Sequence, residues 1–172
     1  MATTVFAFDA GALVPDTGAT LVAGDAAALQ VSHNEGPAIE LDDTDEMAFL
    51  TRWVPAPQGL SIDTAEIYFY PTGDPGDTDG VRIDAYVEAV TPNSDTQDMY
   101  DGAKGFDSAN SASRVMNGVA EGDPQKLTIT LTNKDSVAAG DMVRFGFRRD
   151  TDHEDDDYAA SIFVTAIEIR ES

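Results

Sequence analysis

A period of two restricts this chain more than any other feature. Val81 to Val90 reads VRIDAYVEAV, with Val81, Ile83, Ala85, Val87 and Ala89 against Arg82, Asp84, Tyr86 and Glu88. Lys126 to Thr132 sets Leu127, Ile129 and Leu131 against three threonines. Met142 to Arg148 puts Val143, Phe145 and Phe147 on one side, and Met142, Arg144, Gly146 and Arg148 on the other. Successive side chains of a strand point to opposite faces, so each run is a strand with one buried face. Gly140 to Arg170 then reads as a long hairpin with an acidic tip, at the centre of a sheet. Ile167 and Ile169 share a face in its second run, whereas Ile162 and Val164 have the opposite parity. Either both faces are covered there or a bulge shifts the register.

Weaker signals fill in the rest. Residues 4–8 read as a strand or extended arm, and Asp9 to Ala28 as mostly irregular. Residues 26–32, Ile39 to Leu41 and Thr64 to Tyr70 read as strands. Residues 46–54 form another, stopped by Pro55 and Pro57, which cannot donate to a ladder. Between Thr91 and Pro124 the signal is faint: a helical turn over 97–104 and a strand over 114–119. The sum is all-β: a single antiparallel β-sandwich of the jelly-roll type with about eight strands. Residues 1–33 form an N-terminal arm and first strands, and residues 34–172 the sandwich, in one domain overall.

Charge narrows the function classes. Of 172 residues, 32 are acidic and 10 basic, a formal net charge of −22, yet 42% are hydrophobic. That is a folded domain rather than a disordered acidic tail. Self-repulsion at this charge destabilises the compact state at low salt. At about 1 M salt the screening length falls to about 3 Å, so the composition fits a high-salt environment. There is no basic stripe for phosphates, which speaks against nucleic acid. No apolar run approaches the roughly 18 residues of a membrane helix. The N-terminus lacks the basic start of a signal peptide. There is no Cys, hence no disulfide.

From about Asn34 onward, three passages resemble jelly-roll virion surface proteins of tailed viruses. They are IELDDTDEMAFLTRWVPAP; the TAEIYFYPTGDPGDTDGVRIDAYVEAV hairpin with FDSANSASRV; and LTITLTNKDSVAAGDMVRFGFRRDTD with its IEIRE terminus. The resemblance implies a capsid decoration, turret or fibre component on the virion surface. Its partners would be copies of itself in a cyclic trimer or pentamer and the major capsid protein or other virion proteins. The acidity suggests a halophilic host.

Each candidate site has a plain alternative. Asp150, Asp152 and Glu154 offer oxygen ligands at the spacing Ca²⁺ uses, but the loop lacks the Gly and bidentate Glu of an EF-hand; the alternative is a solvated tip. Asp74, Asp77 and Asp79 form a second acidic loop, and Asp42, Asp43, Asp45 and Glu46 a third; the alternative is Asp side chains bonded to their own turns. The expectation is no cofactor beyond weak Ca²⁺ or other cations. His33 and His153 lie in different loops, which argues against zinc. Tyr68, Tyr70 and Tyr86 fall on the outward parity of their strands, and with Trp53 and Tyr100 form a sugar-stacking or subunit-contact set. Arg144, Arg148 and Arg149 read as facing away from the core, for ion pairs with acidic loops or across a subunit interface. No nucleophile, phosphate or dinucleotide motif is present.

The expectation is therefore a non-enzymatic virion structural protein that decorates or cements the capsid. The alternative is a fibre or carbohydrate-binding β-sandwich module holding host-surface glycan. The charge alone makes one prediction. Melting followed by circular dichroism should shift upward from 0.1 to about 2 M KCl; a flat or falling profile would remove the high-salt reading.

Overall fold

The structure, a computed structural model, describes residues 3–15, 26–27, 29–33, 36–59, 61–96 and 105–171. Its strands in chain order are β1 (Thr3–Asp9), β2 (Leu13–Pro15), β3 (Ala26–Ala27), β4 (Leu29–His33), β5 (Gly36–Leu41), β6 (Met47–Thr51) and β7 (Val54–Pro55), then β8 (Thr64–Pro71), β9 (Gly80–Val90), β10 (Asn110–Val115), β11 (Gln125–Thr130), β12 (Met142–Arg149) and β13 (Ile162–Glu171). A 3-10 turn at Ala10–Ala12 joins β1 to β2. The first sheet has the order β11-β8-β13-β5-β4, with β1 also beside β13. The second has the order β10-β9-β12-β6-β2, with β3 beside β6 and β7 beside β12. Pairing is antiparallel except between β3 and β6. The fold is an antiparallel β-sandwich of the jelly-roll kind, as the alternation predicts. The predicted helical turn over 97–104 lies outside the described residues, as does most of the irregular stretch after Pro15.

The core lies between the sheets and is built from the predicted inward positions. Val81, Ile83, Val87, Phe145, Phe147, Ile67 and Ile129 are all at 0–1% exposure. β1 belongs to this core: it pairs with the second half of β13, and Phe8 is buried. The parity conflict in β13 is a bulge. Val164 stands opposite Phe69 and Ala166 opposite Tyr68, leaving Thr165 as the extra residue. Ile162, Val164, Ile167 and Ile169 are thereby all buried on one face.

Three sequence expectations need correction. β12 and β13 are not a hairpin: β12 pairs with β9, β6 and β7, whereas β13 pairs with β8, β5 and β1. β8 and β9 likewise sit in different sheets. Period two identifies a strand's buried face but not its neighbour, and a crossover from sheet to sheet preserves that pattern as well as a hairpin does. The strand expected over 114–119 is β10, at 110–115, set by its pairing with β9.

The third correction is the acidic stretch after β12, which is not a freely solvated tip. It docks on the start of β9. The Gly80 backbone N–H donates to Asp157 at 2.7 Å, the Arg82 N–H donates to Asp156 at 2.8 Å, and Arg82 Nε donates to Asp150 at 3.2 Å. Gly80 is required for this approach, since a Cβ there would lie 2.5 Å from the Asp155 carbonyl oxygen. Arg149 locks the arrangement. It follows the parity of Val143, Phe145 and Phe147 and is fully buried. Its guanidinium donates to Asp156 and to the carbonyls of Asp42, Tyr158 and Ala160. One side chain thus ties the β5–β6 turn to the crossing between the sheets.

Removing one partner of a buried ion pair leaves the other charge uncompensated and costs about 3–5 kcal/mol. Arg149→Ala should lose about that much in urea unfolding at fixed KCl. A loss below about 1 kcal/mol would mean that the clasp is incidental to the fold.

Candidate functional site

The outer face of the first sheet is built around β8. Ala65, Ile67 and Phe69 point inward, so Glu66, Tyr68 and Tyr70 point out, and the two tyrosines are half-buried. Antiparallel pairing places Phe163 opposite Tyr70 and the small Ala166 opposite Tyr68. The Tyr70 and Phe163 rings meet edge to face with centroids 5.5 Å apart. Gly122 and Pro124, from the β10–β11 turn, form the rim. The result is an open groove of about 570 Å³ lined by Tyr68, Phe69, Tyr70, Gly122, Pro124, Gln125 and Thr165. A hollow of about 250 Å³ continues it past Tyr70 and Gly122 to Thr72, Glu121 and Phe163. Gln125 is held in place: its Oε1 accepts from Arg114 and its Nε2 donates to the Pro124 carbonyl. The bulge puts Thr165 on this face, where its hydroxyl donates to the Tyr68 carbonyl.

Glu66 lies beside the groove, bonded to Tyr68. It is 6% exposed and accepts from Tyr68 Oη at 2.9 Å, Lys126 Nζ at 3.0 Å and Arg170 Nη1 at 2.9 Å. Burial pushes its carboxyl up, but the hydrogen bonds from Lys126, Tyr68 and Arg170 more than offset this and hold it below its ordinary value. Burial and the Glu66 carboxylate push the Tyr68 phenol up, so it remains a neutral hydroxyl. Sequence reasoning missed Glu66, because a chain with 32 acidic residues offers no signal that singles one out.

The six residues expected at one interface separate. Tyr68 and Tyr70 share the groove. Tyr86 lies on the other sheet, 7% exposed, with its ring 6.2 Å from that of Phe106. Arg144 and Arg148 face away from the core, as expected, and are held in ion pairs there, whereas Arg149 faces the core. Arg144 donates to buried Glu88 at 2.6 Å and stacks 4.5 Å from the Trp53 ring centre. Arg148 bridges Asp84 at 2.5 Å and Glu46 at 2.9 Å. Arg149 lies in the core. The charged residues of β9 call these cations in: Asp84 and Glu88 are buried beneath the segment around Phe106 and cannot be left unpaired. Tyr100 lies outside the described residues.

The acidic loops also separate. Asp150 is engaged by Arg82, while Asp152 and Glu154 are exposed. Asp74 accepts from the Glu121 N–H, Asp79 from the Gly76 N–H, and Asp77 is exposed. Asp42 accepts from the N–H groups of Thr44 and Asp45 within its own turn. Among the described residues no group of three or more His, Cys, Asp or Glu side chains is placed to hold a metal ion.

No protein-family model matches this chain, and no curated protein matches it. Solved structures do resemble it. One is a carbohydrate-binding module, TmCBM27, described for specific mannan recognition, at 12% identity and a TM-score of 0.48, covering 100% of this chain and 99% of that one. A module specific for non-crystalline cellulose, CBM28, stands at 9% identity and 0.47, covering 92% and 83%. The K3 cleaved adhesin domain of Lys-gingipain from Porphyromonas gingivalis W83 stands at 13% and 0.45, covering 96% and 91%.

A second hollow, of about 310 Å³ on the other sheet, is walled by Glu88, Asp95 and Asp135. Burial, together with Asp107, Glu88 and Asp95, pushes the Asp135 carboxyl up, although the Ala89 N–H opposes this. A raised carboxyl contributes stability that is full below its unfolded value and lost as pH rises through the folded one. Asp135 has φ +49°, a conformation Asn tolerates well. At low ionic strength Asp135→Asn should therefore raise the melting temperature at pH 7, by about 2–4 °C for each 1 kcal/mol relieved. The gain should disappear toward pH 3 and in molar KCl. A pH-independent effect would mean that the carboxylates do not repel one another in the fold.

Proposed function

We propose that this chain is a non-catalytic glycan-binding β-sandwich module, with its ligand laid along the outer face of the first sheet. The observation that carries this is the aromatic strip formed by Tyr68 and Tyr70 in the open groove and Phe163 in the hollow that continues it. A pyranose ring has an apolar face and a rim of hydroxyls. The tyrosine rings supply apolar surface with polar tips, and a concave site lined this way with a few placed polar groups is the usual form of a ligand site. Gln125 and Thr165 supply such groups within the groove, and Lys126 stands opposite Tyr68 beside it. Support for a binding role over hydrolysis comes from Glu66: the hydrogen bonds that hold its carboxyl down work against service as a general acid, which needs a raised value.

The setting we propose is the surface of a virion, following the resemblance of the sequence to decoration, turret and fibre proteins of tailed viruses. A glycan face there would serve attachment to a host in brine, and self-assembly into a ring would multiply weak single-site affinity.

The test is a glycan array in molar KCl, followed by titration of the best binder. Tyr68→Ala and Tyr70→Ala should each weaken binding about tenfold or more, whereas Thr130→Ala, exposed on the same sheet away from the groove, should not. An array with no retained glycan, or tyrosine variants that bind like the parent, would remove this reading.

A further inference from the structure

Among the described residues the outer face of the first sheet holds two cations, and one carboxylate takes both. Lys126 Nζ and Arg170 Nη1 lie 3.0 and 2.9 Å from the two oxygens of Glu66. Glu168 stands opposite Glu66 across the β8–β13 pairing and accepts from the Thr4 hydroxyl. Glu40 of β5, opposite Phe163, is a further carboxylate on this face, so acids outnumber the two cations here as they do in the whole chain of net charge −22. Arg114 approaches the rim from β10, but its Nε and Nη2 both donate to Gln125 Oε1. A sugar carboxylate stacked beside Tyr68 would therefore lose water without gaining a cation of its own, which is costly. Sugar hydroxyls need only neutral or shared partners. The ammonium of Lys126 has three donors, one of them directed to Glu66, and its side chain is 46% exposed beside Tyr68.

We propose that Glu66 is the specificity-determining residue of this groove: by engaging Lys126 and Arg170 it restricts the site to uncharged glycans and excludes those bearing uronate or sulfate. The inference rests on the glycan-binding reading above. Because the carboxyl lies below its ordinary value, the pairing is in place at neutral pH. Glu66→Gln keeps the shape and an acceptor for the Tyr68 hydroxyl but releases both cations. The face then keeps Lys126 and Arg170 without the carboxylate that held both of them.

The test measures affinities by calorimetry for two sets of hexasaccharides. One set is neutral (gluco-, manno-, xylo- and galacto-configured) and the other acidic (oligogalacturonate and oligomannuronate). The parent should bind its preferred neutral hexasaccharide at least about tenfold more tightly than either oligouronate. Glu66→Gln, with an unchanged circular dichroism spectrum, should narrow that ratio to about threefold or invert it. The gain should fade in molar KCl, where screening reaches about 3 Å. A parent that binds oligouronates as well as neutral sugars overturns the proposal, and so does a ratio that Glu66→Gln leaves unmoved. If Glu66→Gln does not fold, Lys126→Gln decides. Uronate binding that stays at its weak parental level supports a Lys126 already engaged, and a further loss of uronate binding overturns the proposal. Absence of binding by every hexasaccharide removes the glycan reading itself and this inference with it. Neutral binding that depends on Tyr68 while the ratio does not move removes this inference alone.

Discussion

Scarcity of positive charge shapes this molecule. Ten Lys and Arg side chains face 32 carboxylates, and the fold buries several of the latter. A buried carboxylate needs a cation or several N–H donors. Glu66 takes Lys126 and Arg170, Asp84 takes Arg148, Glu88 takes Arg144, and Asp156 takes Arg149. The remaining acids crowd the surface, where solvent and salt must carry the cost of repulsion. The placement of the few cations is therefore a map of where the chain needs electrostatic closure.

That map divides the two outer faces. On the second sheet Arg144 pairs Glu88 beneath the Trp53 and Phe106 rings, and Arg148 pairs Asp84 and Glu46, which turns much of an outward strand face into an ion-paired layer. On the first sheet, among the described residues, Glu66 is the buried carboxylate, and the aromatic strip beside it stays open. The same alternation that built both faces thus gives one largely covered by ion pairs and one with an open aromatic groove.

Much of this was legible in the sequence. The alternation of β9, β11 and β12 named the core, and the clash of parity in β13 left either two covered faces or a bulge, of which the structure has the bulge, at Thr165. Tyr68 and Tyr70 read correctly as outward neighbours two residues apart. Arg149 read as facing away from the core because of its charge; its parity with Val143, Phe145 and Phe147 prevailed because Asp156 and three carbonyls satisfy it. What periodicity does not encode is which sheet a strand joins. That is why β12 and β13 read as a hairpin and why Tyr86 read as a companion of Tyr68. Glu66 was hidden because burial, not residue type, distinguishes it from the other carboxylates.

The central claim is that ligand contact falls on the Tyr68–Tyr70 face and nowhere else on the sandwich. The chain has five tyrosines, and those of the two sheets point in opposite directions, so ¹³C-labelled tyrosine gives a direct readout by NMR. Titration with the best-retained oligosaccharide in molar KCl should move the ring signals of Tyr68 and Tyr70 and leave Tyr86 and Tyr158 in place. Shifts centred on Tyr86, or spread evenly over all the rings, would contradict the account.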